Sequence, residues 1–197
     1  MSHAIINDEA LDVLFREARS HNAWQDKPVS TTLLMAVYDL MRWGPTSANM
    51  SPARILFIVS KEAKKRLEPH IFPTNREKTL TAPAIALIGH DLHFAETLPR
   101  LFPFAPDAKN WFANPAVAEV NAFRNGTLQG AYFIMAARAV GLDCGPMSGF
   151  DNAGVDCEFF PDGSVKSNFL CGIGYGDPAG LLPRAPRLAF DEACKIL

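Results

Sequence analysis

The apolar positions in the first quarter of the chain repeat with the period of an α-helix. A polar link over residues 19–28 separates two such helices, and Ser30 is an N-cap candidate for the second one. This helix is predicted to end at Gly44 and Pro45, because proline cannot continue the backbone hydrogen-bond ladder. The first helix is predicted within residues 8–18, where the spacing i, i+3, i+4, i+7 is filled by Leu11, Leu14, Phe15 and Ala18.

Apolar runs predict buried strands at residues 55–59 and 83–89, and a last strand is predicted over residues 168–176. Ser60 begins a charged helix directly after the first run. The longest helix is predicted over residues 117–140. Apolar side chains cover most of its circumference, which is typical of a helix in the core or at a subunit contact.

Two segments lack such periodicity. Residues 91–118 are rich in proline, phenylalanine and tryptophan, which predicts a long excursion without regular elements that carries aromatic side chains. Residues 144–151 predict a turn-rich segment between two ordered elements. Because helices outnumber strands and do not strictly alternate with them, we predict a single α+β domain in layers over residues 1–197.

Composition and charge narrow the class of protein. Hydrophobic residues make up 48 % and charged residues 20 % of the 197 residues, which is typical of a globular domain with a sizeable core. The net charge of −2 argues against nucleic-acid binding, and no apolar stretch approaches the roughly 20 residues of a membrane span. Residues 1–20 are polar and acidic, unlike a signal peptide. No CxxC pair occurs, so reduced thiols in a cytoplasmic protein are expected for Cys144, Cys157, Cys171 and Cys194.

Several catalytic motifs can be set aside. His90 and His93 have no thiolate or HExxH partner at ligand spacing, so no metal site is predicted. Ser148 lacks the first glycine of a GxSxG nucleophile elbow. A dinucleotide-binding motif requires a helix directly after its glycines, and no helix-forming run follows the glycines of residues 172–176. They indicate instead a strand in which small residues admit a close ring or backbone.

What remains is a series of polar and glycine-containing turns, of which residues 44–49 are one, together with separated cations. Such a layout suits a planar cofactor with a phosphate tail. The ring edge needs backbone amides and Asn, Ser or Thr groups, and the phosphate needs Arg or Lys.

Four segments carry a resemblance to a known family. Residues 18–24 read ARSHNAW, residues 43–54 read WGPTSANMSPAR, and residues 141–151 read GLDCGPMSGFD. The fourth joins GIGY at residue 172 to PRAPR, which ends at residue 187. In this order they resemble the FMN-dependent nitroreductase family, and within it the reductases of malonic semialdehyde in pyrimidine degradation. The resemblance covers nearly the whole chain.

The resemblance implies a fold, an assembly and cofactors. The fold would be a nitroreductase-like α+β three-layer sandwich, with a central mixed or antiparallel sheet between layers of helices. Two chains would form a domain-swapped type of homodimer, which would place the apolar 117–140 helix in the dimer core; burial within one subunit is the alternative. FMN would be tightly bound, with NADH or NADPH as the hydride donor.

The resemblance also assigns the phosphate end of the cofactor site. Arg19 and Ser20 would meet the phosphate and ribityl groups, and Asn22 would lie near the ring. Arg184 and Arg187 would complete the grip on the phosphate. Solvated charges, or cations at the end of a helix, are the alternative for each arginine.

At the flavin ring, Asn75 and Lys78 match the family's Asn-x-x-Lys beside the pyrimidine edge. Lys78 would stabilise the negative charge at N1 and O2 of the reduced flavin, with a surface charge as the alternative. No acid–base side chain is obligatory in this reaction. A backbone amide would be aimed at N5 from the segment along one ring face, which consists of Pro146, Met147, Ser148 and Gly149.

The family shares its sites between two subunits, so the polar turn would come from the partner chain through Pro45, Thr46, Ser47 and Asn49.

Departures from the family pattern reduce the charge near the ring. Ala18 replaces a first arginine, and Asn22 replaces a second cation. Residues 50–54 also replace the common Gln-Pro-Trp. Lys78 would therefore carry more of the charge stabilisation.

The implied reaction is ping-pong hydride transfer from NAD(P)H through FMN to a small aldehyde, malonic semialdehyde, which becomes 3-hydroxypropionate. A broad-specificity nitro or quinone reductase and a non-catalytic flavin-binding protein are the alternatives. Arg54 or Arg100 would bind a substrate carboxylate. The aromatic residues of the excursion would cover the pocket as a lid, with ordinary packing as the alternative; they are Phe102, Phe104, Trp111 and Phe112.

Overall fold

The computed structural model describes residues 3–197, and the strands in this part form one antiparallel sheet. Its spatial order is β1–β2–β4–β3, so β1 and β3 are the two edges. Ile55 pairs with Ile88 between β1 and β2, and Leu87 pairs with Leu170 between β2 and β4. The strands are β1 (Ala53–Ile58), β2 (Ala84–Asp91), β3 (Asp143–Met147) and β4 (Val165–Gly174).

The helices begin where the sequence supplies caps. The hydroxyls of Ser30 and Ser60 accept hydrogen bonds from the backbone N–H groups of the following first turns, and the Asn114 amide oxygen does the same for the longest helix. The α-helices are α1 (Asp8–Leu11), α2 (Thr31–Met41), α3 (Lys61–Leu67), α4 (Pro73–Leu80), α5 (Leu98–Leu101), α6 (Pro115–Ala139), α7 (Asn152–Phe159) and α8 (Phe190–Ala193). Helix α1 continues as a π-helix over Asp12–Arg16.

Strand β2 is buried on both faces, and its alternating side chains account for the layers. Ala86 and Ile88 point to a core shared with α2 and α6. Ile85 and Leu87 point to a second core that contains residues of α3, α4 and α7. The predicted α+β sandwich of three layers is confirmed, and its sheet is antiparallel.

Helix α6 has two different faces. Small residues line the face against the sheet: an added Cβ at Gly126 would lie 2.9 Å from Cβ of His90, and one at Gly130 would overlap the Phe169 ring. The outward face carries apolar side chains that remain substantially exposed in the single chain, namely Val117, Val120, Phe123, Leu128 and Tyr132. The apolar circumference predicted for this helix therefore divides into a core face and an unpartnered face.

Two expectations about irregular segments were wrong. Residues 143–147 form the edge strand β3 rather than a turn, and Pro146 is tolerated because an edge strand does not need every N–H for pairing. The excursion after β2 contains α5 and the 3-10 helices Phe94–Thr97 and Pro106–Phe112. These short helices enclose a third core cluster, which includes Met50, Phe94, Leu98, Ala108 and Ala122.

Helices α4 and α7 were not predicted, because each is eight residues long and carries a weak apolar pattern. Two strands are also displaced toward the N-terminus of the chain relative to prediction: β1 begins at Ala53 and β4 at Val165. Within residues 3–197, no helix combines the length and the apolarity that crossing a membrane requires.

Candidate functional site

An arm of residues 18–24 is fastened to the segment after β4 by reciprocal arginine contacts. The Arg19 guanidinium donates to the carbonyl of Leu182, and the Arg184 guanidinium donates to the carbonyl of Ala18 at 3.1 Å. Ser20 forms a β-bridge with Cys144 of β3. The structure therefore brings Arg19, Ser20 and Arg184 to one end of the β3 edge.

Arg187 behaves differently from the other two arginines. Its guanidinium donates to the neighbouring carbonyls of Ala185 and Pro186, at 2.9 and 3.0 Å. Among residues 3–197 it has no hydrogen bond to the arm. Its predicted place at a phosphate stays a prediction.

A buried histidine anchors the arm, and sequence reasoning missed it. His21 is 7 % exposed, and its Nε2 lies 3.3 Å from Oδ1 of Asp143. The other oxygen of Asp143 accepts a hydrogen bond from the backbone N–H of Gly176 at 2.8 Å. Gly176 must be glycine, because a Cβ there would overlap the His21 ring. The position of a histidine directly after the Arg–Ser pair was the available signal.

The second group of predicted residues meets where β3 ends. The Asn75 side-chain amide donates to the carbonyl of Gly149 at 3.1 Å, and the Thr79 hydroxyl contacts the sulfur of Met147 at 2.9 Å. Lys78 is half-buried and has no ion-pair partner among residues 3–197. Helix α4 and the 146–149 segment are therefore one unit.

Trp24 joins the arm to this unit. Its indole N–H donates to the carbonyl of Lys78 at 2.9 Å. Its ring lies against Gly172 and Gly174 of β4, where a Cβ would come within 2.7 and 3.1 Å of ring carbons. The glycines thus admit a close aromatic ring, as predicted. Asn22 lies half-buried in the arm between His21 and Trp24.

The polar turn at residues 44–49 has an unusual backbone. Ala48, Asn49 and Ser51 have φ values of 49°, 49° and 41°, the only positive values of non-glycine residues in the described chain. Such conformations cost roughly 1–3 kcal/mol each and persist only where the surroundings enforce them. They concentrate at functional sites.

Two buried amides of α6 enforce this conformation. Asn125 and Gln129 are only 2 % and 4 % exposed. The Asn125 side-chain oxygen accepts a hydrogen bond from the N–H of Ser47 at 2.9 Å, and that of Gln129 accepts one from the N–H of Ala53 at 2.8 Å. Sequence reasoning missed both residues, because nothing local links them to a turn more than 70 positions away.

Further hydrogen bonds close the turn on itself and on the excursion. The Thr46 hydroxyl accepts from the N–H of Ser51 at 3.1 Å. The Asn49 side-chain amide donates to the carbonyl of Leu101 at 2.8 Å. Pro45 and Ser47 are exposed. The turn is held by these hydrogen bonds and leaves part of its polar surface exposed.

The structure separates the turn from the other predicted site residues. The turn adjoins β1 and α6, whereas Gly149 and the arm adjoin β3 at the opposite edge of the sheet. Three strand spacings, about 14 Å, lie between those edges. Among the described residues of one chain, no hydrogen bond joins the turn to Asn75, Lys78 or Gly149.

A cavity of about 670 Å³ lies beside the turn, between the end of α2, strand β1 and α5. Arg42, Arg54 and Arg100 line it. None of the four aromatic residues predicted as a lid lines it. Phe112 packs on Phe94 of the third core cluster, with ring centroids 4.9 Å apart, so at this position packing is the better interpretation.

The β3-edge groups fit a planar ring with a phosphate tail. Two guanidinium groups and a serine stand at one end, and an amide, an unpaired ammonium and a glycine-lined strand end stand at the other. A Cβ at Gly149 would overlap the Asn75 amide, so the contact between them requires glycine at this position. This donor set is chemically compatible with FMN, and its role as the FMN site stays a prediction.

The buried thiols offer no nucleophile. Cys144 and Cys171 are fully buried between the sheet and α6. Contact with the Cys144 thiol, together with burial, raises the pKa of Cys171 well above its usual range. Both thiols therefore behave as small apolar core groups.

Comparison with known proteins identifies relatives of this chain. The sequence model described as the Nitroreductase family matches residues 15–175. A provisionally named NADH dehydrogenase/NAD(P)H nitroreductase of Stenotrophomonas maltophilia K279a is 59 % identical over 197 residues, covering 100 % of both chains. HadB of Ralstonia pickettii, which has the same provisional name, is 55 % identical over 190 residues, covering 95 % of this chain and 97 % of HadB. A provisionally named nitroreductase of Exiguobacterium sibiricum, solved in complex with FMN, has a TM-score of 0.87 at 19 % identity, covering 100 % of both chains.

Proposed function

Because the chain belongs to the nitroreductase family, we propose that it is an FMN-dependent NAD(P)H oxidoreductase acting as a homodimer with shared active sites. One observation supports the sharing of each active site between two chains. The polar turn is fastened at the β1 edge of the sheet, whereas most of the other implied FMN residues gather at the β3 edge. Each chain thus offers two half-sites, and a second copy completes them.

When bound, FMN would supply the hydride chemistry between NADH or NADPH and a second substrate. The residues of this chain bind and orient. Arg19 and Arg184 would hold the phosphate, exchanging for it the backbone carbonyls that they contact in the chain alone. Lys78 would provide an uncompensated ammonium for the ring edge where negative charge gathers.

The outward face of α6 supports the dimer. Its exposed apolar side chains, such as Phe123, Leu128 and Tyr132, form a stripe on the same helix whose buried amides hold the turn. Packing this stripe against a second copy removes it from water. The same contact would carry the turn, through Asn125, toward the partner's β3 edge.

For the second substrate we propose a small aldehyde, malonic semialdehyde, reduced to 3-hydroxypropionate. The four-segment resemblance supports this choice. A broad-specificity nitro or quinone reductase is the second candidate, which the names of the relatives favour. A cytoplasmic location belongs to the proposal, supported by the free state of the four cysteines.

The absorption spectrum of the purified protein tests the cofactor. We expect flavin bands that bleach under anaerobic NADH or NADPH. A protein that stays colourless after incubation with FMN would refute the assignment, and flavin that does not bleach would indicate a non-catalytic binder. Relative turnover of malonic semialdehyde and nitrofurazone distinguishes the two substrates, since a strong preference for nitrofurazone would contradict the aldehyde.

The shared site is tested at the turn. Asn49→Gly removes the amide yet tolerates the positive φ, and Ala48→Gly at the same φ is the matched control. We expect Asn49→Gly to weaken FMN binding and Ala48→Gly to leave it close to wild type. Dilution below the dimer dissociation constant should release FMN as well. Equal FMN affinity in both variants and at all concentrations would contradict the shared site.

A further inference from the structure

The cavity beside the turn has one sign of charge on its walls. Three arginines line it, and its walls contain no aspartate or glutamate. Apolar side chains, including Ile55, Phe57 and Leu101, provide the rest of its surface together with neutral polar groups. A volume of about 670 Å³ is in the range of small-molecule sites.

Arg54 is not available to a ligand. Its Nη2 lies 2.5 Å from Oδ2 of Asp91, and its Nη1 donates to the carbonyls of Ser51 and Ala53 at 3.2 and 3.0 Å. These contacts neutralise its charge and fasten β1 to the turn. Arg54 therefore shapes the cavity.

Arg100 is available. It lies at the exposed end of α5 and has no hydrogen bond or ion pair with any residue in the range 3–197. Arg42 lies over the Trp43 ring at 5.4 Å and only 3.8 Å from the exposed carboxylate of Asp39, an ion pair of little strength. The cavity thus retains uncompensated positive charge.

A second donor lines the same cavity. The Gln129 side chain is a cavity wall although the residue is only 4 % exposed. Its oxygen accepts a hydrogen bond from the N–H of Ala53, and its NH₂ group has no hydrogen-bond partner among residues 3–197. This NH₂ nitrogen is not one of the buried atoms without a partner in the described chain, so it is accessible, and a ligand or water in the cavity can accept from it.

We propose that this cavity is a carboxylate site, in which Arg100 and the Gln129 amide bind the carboxylate of a small organic acid while the apolar wall holds its body. A planar carboxylate matches the guanidinium fork. This rests on the proposed function in one respect: the turn would carry the cavity to the partner's flavin. The acid would then be the electron acceptor, and the enzyme would prefer anionic acceptors over neutral ones of the same shape.

A matched pair of acceptors tests the preference in the flavin-loaded enzyme. 4-Nitrobenzoate and 4-nitrobenzamide have nearly the same shape and differ in charge. We expect Arg100→Gln to lower the ratio of their kcat/KM values roughly fivefold to tenfold, through a higher KM for the benzoate. Arg66→Gln on α3 removes an equal charge outside the cavity and should leave the ratio unchanged. An unchanged ratio in Arg100→Gln would overturn the proposal.

Binding of benzoate gives a readout that does not depend on turnover. Trp43 is 75 % exposed and lines the cavity, so benzoate should change its fluorescence, and Trp43→Phe should abolish the signal. Gln129→Glu, which keeps the acceptor for Ala53 but adds a negative charge, should weaken benzoate binding at least tenfold. Benzoate binding in a protein without flavin turnover would refute the proposed function alone. Unaltered binding in both Arg100→Gln and Gln129→Glu would refute the carboxylate site alone.

Discussion

Replacement of Asn125 by leucine should uncouple the polar turn from the core. The Asn125 side chain accepts from the N–H of Ser47 and donates to the carbonyl of Asn121, both at 2.9 Å. A neutral hydrogen bond contributes about 1 kcal/mol, so losing two costs about 2 kcal/mol. Leucine has the same branched shape and is not smaller, so no cavity adds to this cost. For a chain of this size the melting temperature should fall by roughly 4–8 °C.

Asn125→Leu should weaken FMN binding by more than its loss of folding stability would cause. Without the hydrogen bond from Ser47 to Asn125, the turn can relax from its positive φ values, which individually cost roughly 1–3 kcal/mol. If relaxation is favoured by about 1.4 kcal/mol, only about one molecule in ten keeps the competent turn, and the apparent Kd rises about tenfold. Flavin fluorescence quenching on titration of the apoprotein measures this Kd, and urea unfolding measures stability.

Val155→Ala is the control for Asn125→Leu. Val155 is fully buried in the core between the sheet and α7, on the side of the sheet away from the turn. Deletion of its two methyl groups should cost about 2 kcal/mol as well. FMN affinity should stay near the wild-type value in this variant. If Asn125→Leu loses no more FMN affinity than Val155→Ala, the turn is not held for the cofactor and the reasoning fails.

Three further outcomes are expected. Gly149→Ala should displace the Asn75 amide and weaken FMN several-fold, and a Kd equal to wild type would show that this amide is dispensable. Burial lowers the pKa of His90, so the unfolded chain binds its proton first and stability falls as pH drops below about 6.5. The free energy of unfolding, measured in urea, should fall between pH 7.5 and 5.5 by up to about 1.4 kcal/mol less in His90→Phe than in the wild type. An equal fall in the two proteins would contradict this. A thiol reagent should modify two cysteines in the native protein and four in urea; the unreactive pair would be Cys144 and Cys171, whereas Cys157 and Cys194 would react.

The local elements were predictable because their signals are local. The serine caps at Ser30 and Ser60 lie within three residues of the N–H groups that they bind, and the 3.6-residue period of α6 is visible along 25 positions. The candidate FMN segments were found in the same way, through short stretches such as residues 18–24. The structure brings Arg19, Ser20 and Arg184 together and joins Asn75 to Gly149, and their binding of FMN stays a prediction.

Contacts that cross long stretches of chain were invisible in the sequence. Strand β3 forms because β4 pairs with it, although Pro146 and two glycines argue locally for a turn. Asn125 and Gln129 look like polar interruptions of an apolar helix until the turn lies beside them. The role of His21 likewise depends on Asp143, which lies 122 positions away.

The sequence by itself determined helices α1, α2, α3 and α6 and strands β1, β2 and β4, because propensity, capping and periodicity act over a few residues. It also determined which turns carry polar groups. Only the tertiary structure decided where those turns point. It placed the 44–49 turn at one edge of the sheet and Gly149 at the other, since strand order depends on pairing between distant segments. It also decided that Arg54 is neutralised by Asp91 while Arg100 stays free, since a charge is available only where its neighbours leave it unpaired.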